Sequence, residues 1–262
     1  MARTIVPSEL LQSTNNNIKI GDTALDSVDT TSPDTAADNV AIGNAALTAN
    51  LFGNRNIAIG SNALDANTTA SHNIGIGHNA LTANSTGTEN VGIGQDALAA
   101  NTADDNTGVG FQALETNSTG AENTAFGHNA LQANTTASNN VAIGSGAADA
   151  NTIGAQNTAV GQGAFTTNTT GSHNTAIGRS ALLSATTADY NTAVGSGAMD
   201  TTSTGAQNVA VGYKAMDANT TGGSNVAIGY QALDANTTAG NNVAVGHSAL
   251  GTCTSGNSNT AV

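Results

Sequence analysis

The strongest constraint on this chain is a period. Residues 225 to 241 read NVAIGYQALDANTTAGN, the seventeen before them NVAVGYKAMDANTTGGS, and the seventeen after them NVAVGHSALGTCTSGNS. Writing the unit as N-x-A-I-G-x-x-A-L-x-A-N-T-T-G-x-x, positions 1 to 17, complete copies begin at Asn39, Asn56, Asn73, Asn90, Asn106, Asn123, Asn140, Asn157, Asn174, Asn191, Asn208, Asn225 and Asn242. One step, after Asn90, is 16 residues long. A degenerate copy, NIKIGDTAL, starts at Asn17 and runs into an insertion carrying Asp26, Asp29, Asp34 and Asp38. Repetition at a fixed short period means one structural unit stacked on copies of itself. Residues 1–16 lie outside the repeat, 17–38 form the degenerate first coil, 39–258 hold thirteen coils, and 259–262 begin a further copy.

Seventeen residues are too few for a two-helix repeat, and Gly, Asn, Thr and Val recur where a helix needs better formers. N-V-A-I-G reads as a short strand ended by glycine, the stretch around A-L as a second strand, and N-T-T-G as a turn. Two short strands and two turns per unit make a coil of a parallel β-solenoid, with about 14 coils stacked at about 4.8 Å. The fold class expected is therefore all-β.

Asn at position 1, Gly at position 5 and Ala at position 8 stand in every complete copy; position 4 is always Ile, Val or Phe. Because strand side chains alternate between faces, positions 3 and 4 point to opposite sides. The large apolar residue is assigned inward, so Ile42, Ile59, Ile76, Ile93, Ile143, Ile177 and Ile228 form one wall of the core, opposite Leu47, Leu64, Leu81 and Leu233 at position 9. Asn39, Asn56, Asn73, Asn90, Asn123, Asn140 and Asn225 stack as an amide ladder. A second ladder runs through position 12, interrupted at Ala185, Thr202 and Cys253.

Position 3 is then left facing outward, and it is Ala or Gly in every complete copy. A small apolar stripe suits close contact between chains, so Ala41, Ala58, Ala125, Ala142, Ala159, Ala176, Ala193, Ala210, Ala227 and Ala244 are assigned to an oligomer interface. Burying one Ile and one Leu per coil yields about 1.5–3 kcal/mol each, while ordering backbone costs about 1–2 kcal/mol per residue. So thin a coil is expected to need partners.

Composition narrows the function. Charged residues make up 9%, the net charge is −13, and the basic residues are Arg3, Lys19, Arg55, Arg179 and Lys214 alone. Binding a polyanion requires clustered Lys and Arg, so neither nucleic acid nor an anionic membrane is an expected partner. One cysteine excludes an intrachain disulfide framework, no apolar run is long enough for a membrane helix, and MARTIVPSELLQS lacks the apolar core of a secretory signal.

Candidate sites are sparse. His72, His78, His128, His173 and His247 fall at variable positions 6 and 17, too scattered along the stack to share a metal. Asp200, Asp217 and Asp234 occupy position 10 of three successive coils and could recruit Ca²⁺; a solvated acidic edge is the simpler reading. Glycine-rich stretches such as V-G-I-G-Q-D precede no expected helix, so they are not phosphate loops. The N-T-T and N-S-T triplets match glycosylation acceptors, but the repeat accounts for them. No catalytic constellation stands out, and no cofactor or enzymatic activity is expected.

N-V-A-I-G repeated with short spacers resembles the head repeats of YadA-like trimeric autotransporter adhesins, and the N-T-A-x-G-x-x-A-L units of bacteriophage tail fibres, over residues 17 to 262. That resemblance implies a left-handed parallel β-roll and a homotrimer. Without a recognisable signal, stalk or membrane anchor, the expectation is a virion fibre component, located on the virion or outside the cell. Residues 1–16 would then attach it to other fibre subunits, with a host surface glycan or protein as target and Tyr213, Tyr230, Phe111 and His128 decorating the surface. The last copy stops before its glycine, so either the chain continues or a partner completes the coil. An extracellular adhesin or a self-assembling surface filament is the alternative. An ice-binding solenoid is a further one, prompted by Thr at positions 13 and 14, though Leu51-Phe52 and Thr152-Ile153 break that pattern.

Overall fold

The computed structural model describes residues 15–28 and 36–262. The proposed attachment arm therefore lies outside the described residues except for Asn15 and Asn16, as do Asp29 and Asp34 of the insertion. The chain divides into two compact units, Met1–Glu122 and Asn123–Val262. In the first are β1 (Ile18–Ile20), β2 (Val40–Ile42), β3 (Ile57–Ile59), β4 (Ile74–Ile76), β5 (Val91–Ile93) and β6 (Thr107–Val109). In the second are β7 (Thr124–Phe126), β8 (Val141–Ile143), β9 (Thr158–Val160), β10 (Thr175–Ile177), β11 (Thr192–Val194), β12 (Val209–Val211), β13 (Val226–Ile228), β14 (Val243–Val245) and β15 (Thr260–Ala261). Within each unit every strand pairs in parallel with the next in sequence, like residue on like residue, as in Ala41 on Ala58 and Ala210 on Ala227. The architecture is an all-β parallel solenoid with one strand per coil, and no helix occurs among the described residues.

The register survives the irregular copies. Across the 16-residue step Val91, Gly92 and Ile93 still face Thr107, Gly108 and Val109. The missing residue is absorbed in the turn, where Asp104 Oδ1 accepts the Thr88 amide at 2.7 Å.

The expected second strand does not form. Positions 6 to 11 are turn in each complete coil, because positions 7 and 9 adopt left-handed backbone: Asn62 has φ 58° and Leu64 φ 52°. Such a conformation is uncommon for leucine. It persists because this wall is also hydrogen-bonded from coil to coil, Leu64 N to Ala80 O at 3.0 Å and Asn79 N to Ser61 O at 3.0 Å.

Both amide ladders are present, and both are interior. Asn39, Asn56, Asn73, Asn90, Asn123, Asn140 and Asn225 are all buried. The position 1 side chain does two things. Its Oδ1 accepts the backbone N–H of the next coil's asparagine, as from Asn56 to Asn39 at 2.8 Å and from Asn140 to Asn123 at 3.0 Å. Its Nδ2 donates to the carbonyl of position 15 in its own coil, as from Asn39 to Gly53 at 3.0 Å. Position 12 donates to that same carbonyl, Asn50 to Gly53 at 2.9 Å, and to the amide oxygen of the preceding coil, Asn67 to Asn50 at 2.8 Å. Cys253 keeps part of this role, its Sγ lying 3.6 Å from Gly256 O.

The glycine at position 5 is fixed by two separate facts. Its φ lies between 130° and 140°, as at Gly161 (134°), a region essentially closed to other residues. A Cβ there would also lie 2.6 Å from the carbonyl of the next coil's glycine, Gly178. Gly163, two residues on, has φ 61° with nothing nearer a Cβ than Thr166 Oγ1 at 3.5 Å, and Asn fills the equivalent place at Asn129. Gly161→Ala is therefore expected to destabilise the fold by about 3 kcal/mol or more, and Gly163→Asn to change stability by less than about 1 kcal/mol. Urea unfolding followed by circular dichroism measures both; equal losses would refute this account of position 5.

Candidate interaction surface

The structure turns the strand inside out relative to the sequence expectation. The position 3 alanines, Ala41, Ala58, Ala125, Ala142, Ala159, Ala176, Ala193, Ala210, Ala227 and Ala244, are completely buried inside the single chain. They are core, and they cannot be an interface between chains. The reason is the thinness of the coil. Where position 3 is glycine, a Cβ built on it meets the position 9 leucine at once: at Gly75 it would sit 3.2 Å from Leu64 Cγ, and at Gly92 3.1 Å from Leu81 Cγ. The opposite wall already fills the lumen, so only a methyl or a hydrogen fits. Leu47, Leu64, Leu81 and Leu233 are the buried fillers, as expected.

The position 4 residues assigned to the core are correspondingly at the surface. Ile93, Ile143, Ile177 and Ile228 are exposed, and Ile42, Ile59 and Ile76 are half-buried. Phe126 is exposed by 57%, which shows why this position accepts a ring: it opens outward. Position 2 shares that face. Thr158, Thr175 and Thr192 form one column and Val160, Ile177 and Val194 the next, in register along β9 to β11. Val209, Val226 and Val243 with Val211, Ile228 and Val245 continue the pattern along β12 to β14. The result is two columns of β-branched side chains, held at the inter-strand spacing of about 4.8 Å and facing outward.

Stacking also organises the other variable positions. At position 6 the rings of Tyr213 and Tyr230 stack at 5.4 Å, and Tyr230 and His247 at 4.9 Å. At position 17, His173 and Tyr190 stack at 4.8 Å with nearly parallel planes. The spacing of 17 between Tyr213 and Tyr230 was the sequence signal for such a column. Phe111 and His128 are likewise exposed. Nε2 of His72 lies 3.3 Å from Arg55 Nη1, and His78 is exposed.

Asp200, Asp217 and Asp234 stand in line without forming a metal centre. Asp200 is pushed above the ordinary carboxylate range, chiefly by burial and then by the charge of Asp217, with Lys214 and Arg179 opposing. Lys214 Nζ lies 3.0 Å from Asp217 Oδ2, so an ammonium group already serves this edge, and its own proton is held more tightly for that reason. Among the described residues no three His, Cys, Asp or Glu side chains converge as metal ligands. The glycosylation-like triplets are settled by burial: the amides of Asn67, Asn84, Asn117, Asn134, Asn168, Asn219 and Asn236 are inside the coil. Compared with protein-family models, with curated proteins and with solved structures, the chain matches none.

The inverted strand has a direct test. Ala210→Leu is expected to lower the stability of the single chain by about 3 kcal/mol, whereas Val211→Thr, one residue on, changes it by less than about 0.5 kcal/mol. Denaturant midpoints of the two variants decide the matter; the opposite order would restore the outward alanine stripe.

Proposed function

We propose that the protein is a structural fibre subunit, a segment of a virion tail or head fibre that spaces or presents a host-attachment region, and that it works as a homotrimer. The observation that carries the reading is the outward face of the strands. Positions 2 and 4 place Val, Ile, Thr or Phe on the surface in coil after coil, while charge is almost absent from that face. Contiguous exposed apolar surface of this kind marks an interaction site, and copies of the same chain, with the same repeat, match it register for register. The interface moves from the alanine stripe to Ile228 and its equivalents, and the requirement for partners remains. The resemblance of the repeat to YadA-like heads and phage fibres supports the same reading. An extracellular adhesin or self-assembling surface filament would use this face identically, with the stacked rings at positions 6 and 17 available to a host glycan or protein.

One observation favours a second reading. Two in-register columns of threonine and β-branched residues on a regular strand face are also what an ice-binding surface would present to water. Such a face would have to stay free of partners.

Light scattering coupled to size exclusion separates the two. A mass near three chains is expected. Replacing Val211 and Ile228 together by lysine should release single chains of unchanged circular dichroism, since both side chains already face outward. A wild-type monomer would overturn the fibre reading and direct attention to ice recrystallisation assays.

A further inference from the structure

The position 6 column changes character between Arg179 and Tyr213. Coil on coil it reads Arg179, Ser196, Tyr213, Tyr230 and His247. The backbone holds these places in register: the Gly197 amide donates to Arg179 O at 3.0 Å, and the Lys214 amide to Ser196 O at 3.1 Å. Tyr213 and Tyr230 each carry a ring on the face toward the C-terminal coils, at 5.4 and 4.9 Å. The other face of Tyr213 looks onto the coil of Ser196, whose short side chain is too small to cover a phenol. Position 7 of that coil is Gly197, smaller still, and the Lys214 stem crosses it, Cγ lying 3.4 Å from where a Cβ would stand. One rung of the column is thus missing. A phenol face stands above it and Arg179 below, about 9.6 Å apart at two inter-strand spacings.

The flank of this rung is polar. Lys214 at position 7 pairs with Asp217 at position 10 of its own coil at 3.0 Å, so side chains at these two positions meet. In the coil of Ser196, Asp200 at position 10 is half-buried, and Gly197 at position 7 offers it no such partner. The charge of Arg179 reaches the same carboxyl.

We propose that the missing rung is a binding site for a neutral pyranose ring of a glycan, seated on the free face of Tyr213. The face of an aromatic ring carries negative charge density, which attracts the weakly positive C–H groups on the flat side of a pyranose. Sugar hydroxyls both donate and accept, so they serve the Asp200 carboxylate and the Arg179 guanidinium together. A flat aromatic ligand covers the phenol and leaves both charges unserved. An acidic sugar meets Arg179 but is repelled by Asp200. An aromatic platform with a few polar groups at its rim is the usual make-up of a small-ligand site. A single ring of about a dozen non-hydrogen atoms supports only millimolar affinity, and repetition over the chains of a trimer raises it by avidity. The site specifies the chemistry of the attachment target and rests on the fibre reading for its place in the assembly.

The chain has no Trp and three Tyr, at 190, 213 and 230, so ring-labelled tyrosine gives a spectrum with one set of signals per site. Titration of the full chain with the methyl glycosides of glucose, galactose and mannose is expected to move the Tyr213 signals at millimolar sugar and leave Tyr190 in place. Ser196→Tyr supplies the missing ring from the chain itself, as Tyr230 does on the other side, so it should keep the circular dichroism and abolish the shift. No movement of Tyr213 with any of the three sugars, or equal movement in Ser196→Tyr, overturns the site. Movement with p-cresol and with no glycoside marks an aromatic-binding face and overturns the saccharide. The wild-type titration decides the question even if the variant fails to fold. Mass in solution is read separately, so a trimer that ignores sugars sinks this site alone, and a monomer that binds them sinks the fibre reading alone.

Discussion

Within each unit, the described coils stack like residue on like residue, as Ala41 on Ala58 and Ala210 on Ala227. Parallel in-register stacking imposes this, and it selects side chains that tolerate or exploit a copy of themselves about 4.8 Å away. Asparagine is the clearest case, because a carboxamide carries both donor and acceptor and can bond its own kind indefinitely. Aromatic rings stack, as Tyr213, Tyr230 and His247 do. Threonine at position 13 donates to the backbone of the coil above, Thr169 Oγ1 to Thr186 O at 3.0 Å. Charge is the poor choice, since like charges in a column repel. The 9% of charged residues fits this rule, and the charge of Asp217 adds to burial in raising the proton affinity of Asp200.

The same rule made much of the fold legible. A period of 17 with Asn, Ala and Gly at fixed places identifies a solenoid coil, and the leucine column at position 9 and both amide ladders follow from it. Which side of the strand faces inward is not legible from side-chain size alone. Alternation leaves two choices, and the habit of placing the larger apolar residue inside picked the wrong one. The deciding signal was tolerance. In the complete copies position 3 accepts only Ala or Gly, a steric ceiling of the kind a crowded interior imposes; position 4 accepts Val, Ile and Phe, the latitude of open space. Gly75 against Leu64 shows the ceiling as a distance of 3.2 Å.

The turn wall was beyond sequence reasoning for a different cause. Leu64 and its equivalents adopt left-handed backbone, against the local preference of leucine. The conformation is held by bonds to residues 16 or so positions away, Leu64 N to Ala80 O among them. No local pattern announces a preference that only the neighbouring coil enforces. Local strain of this kind persists where surrounding structure over-determines it, and here the surrounding structure is the repeat itself.

Interior and exterior thereby carry separate duties. Positions 1, 3, 5, 8 and 9 are each fixed by contacts inside the chain, so substitution there acts on folding. Positions 2, 4, 6 and 17 point outward, and the copies differ from one another most at 6 and 17. A scaffold divided in this way can change what its surface meets without disturbing the coil. The proposed fibre role draws on that division: the columns at positions 2 and 4 are uncharged in every complete coil, with position 4 always apolar, and suit a constant partner, the chain itself. The variable columns beside them, with rings in some coils and small polar groups in others, are where differences in binding would be written.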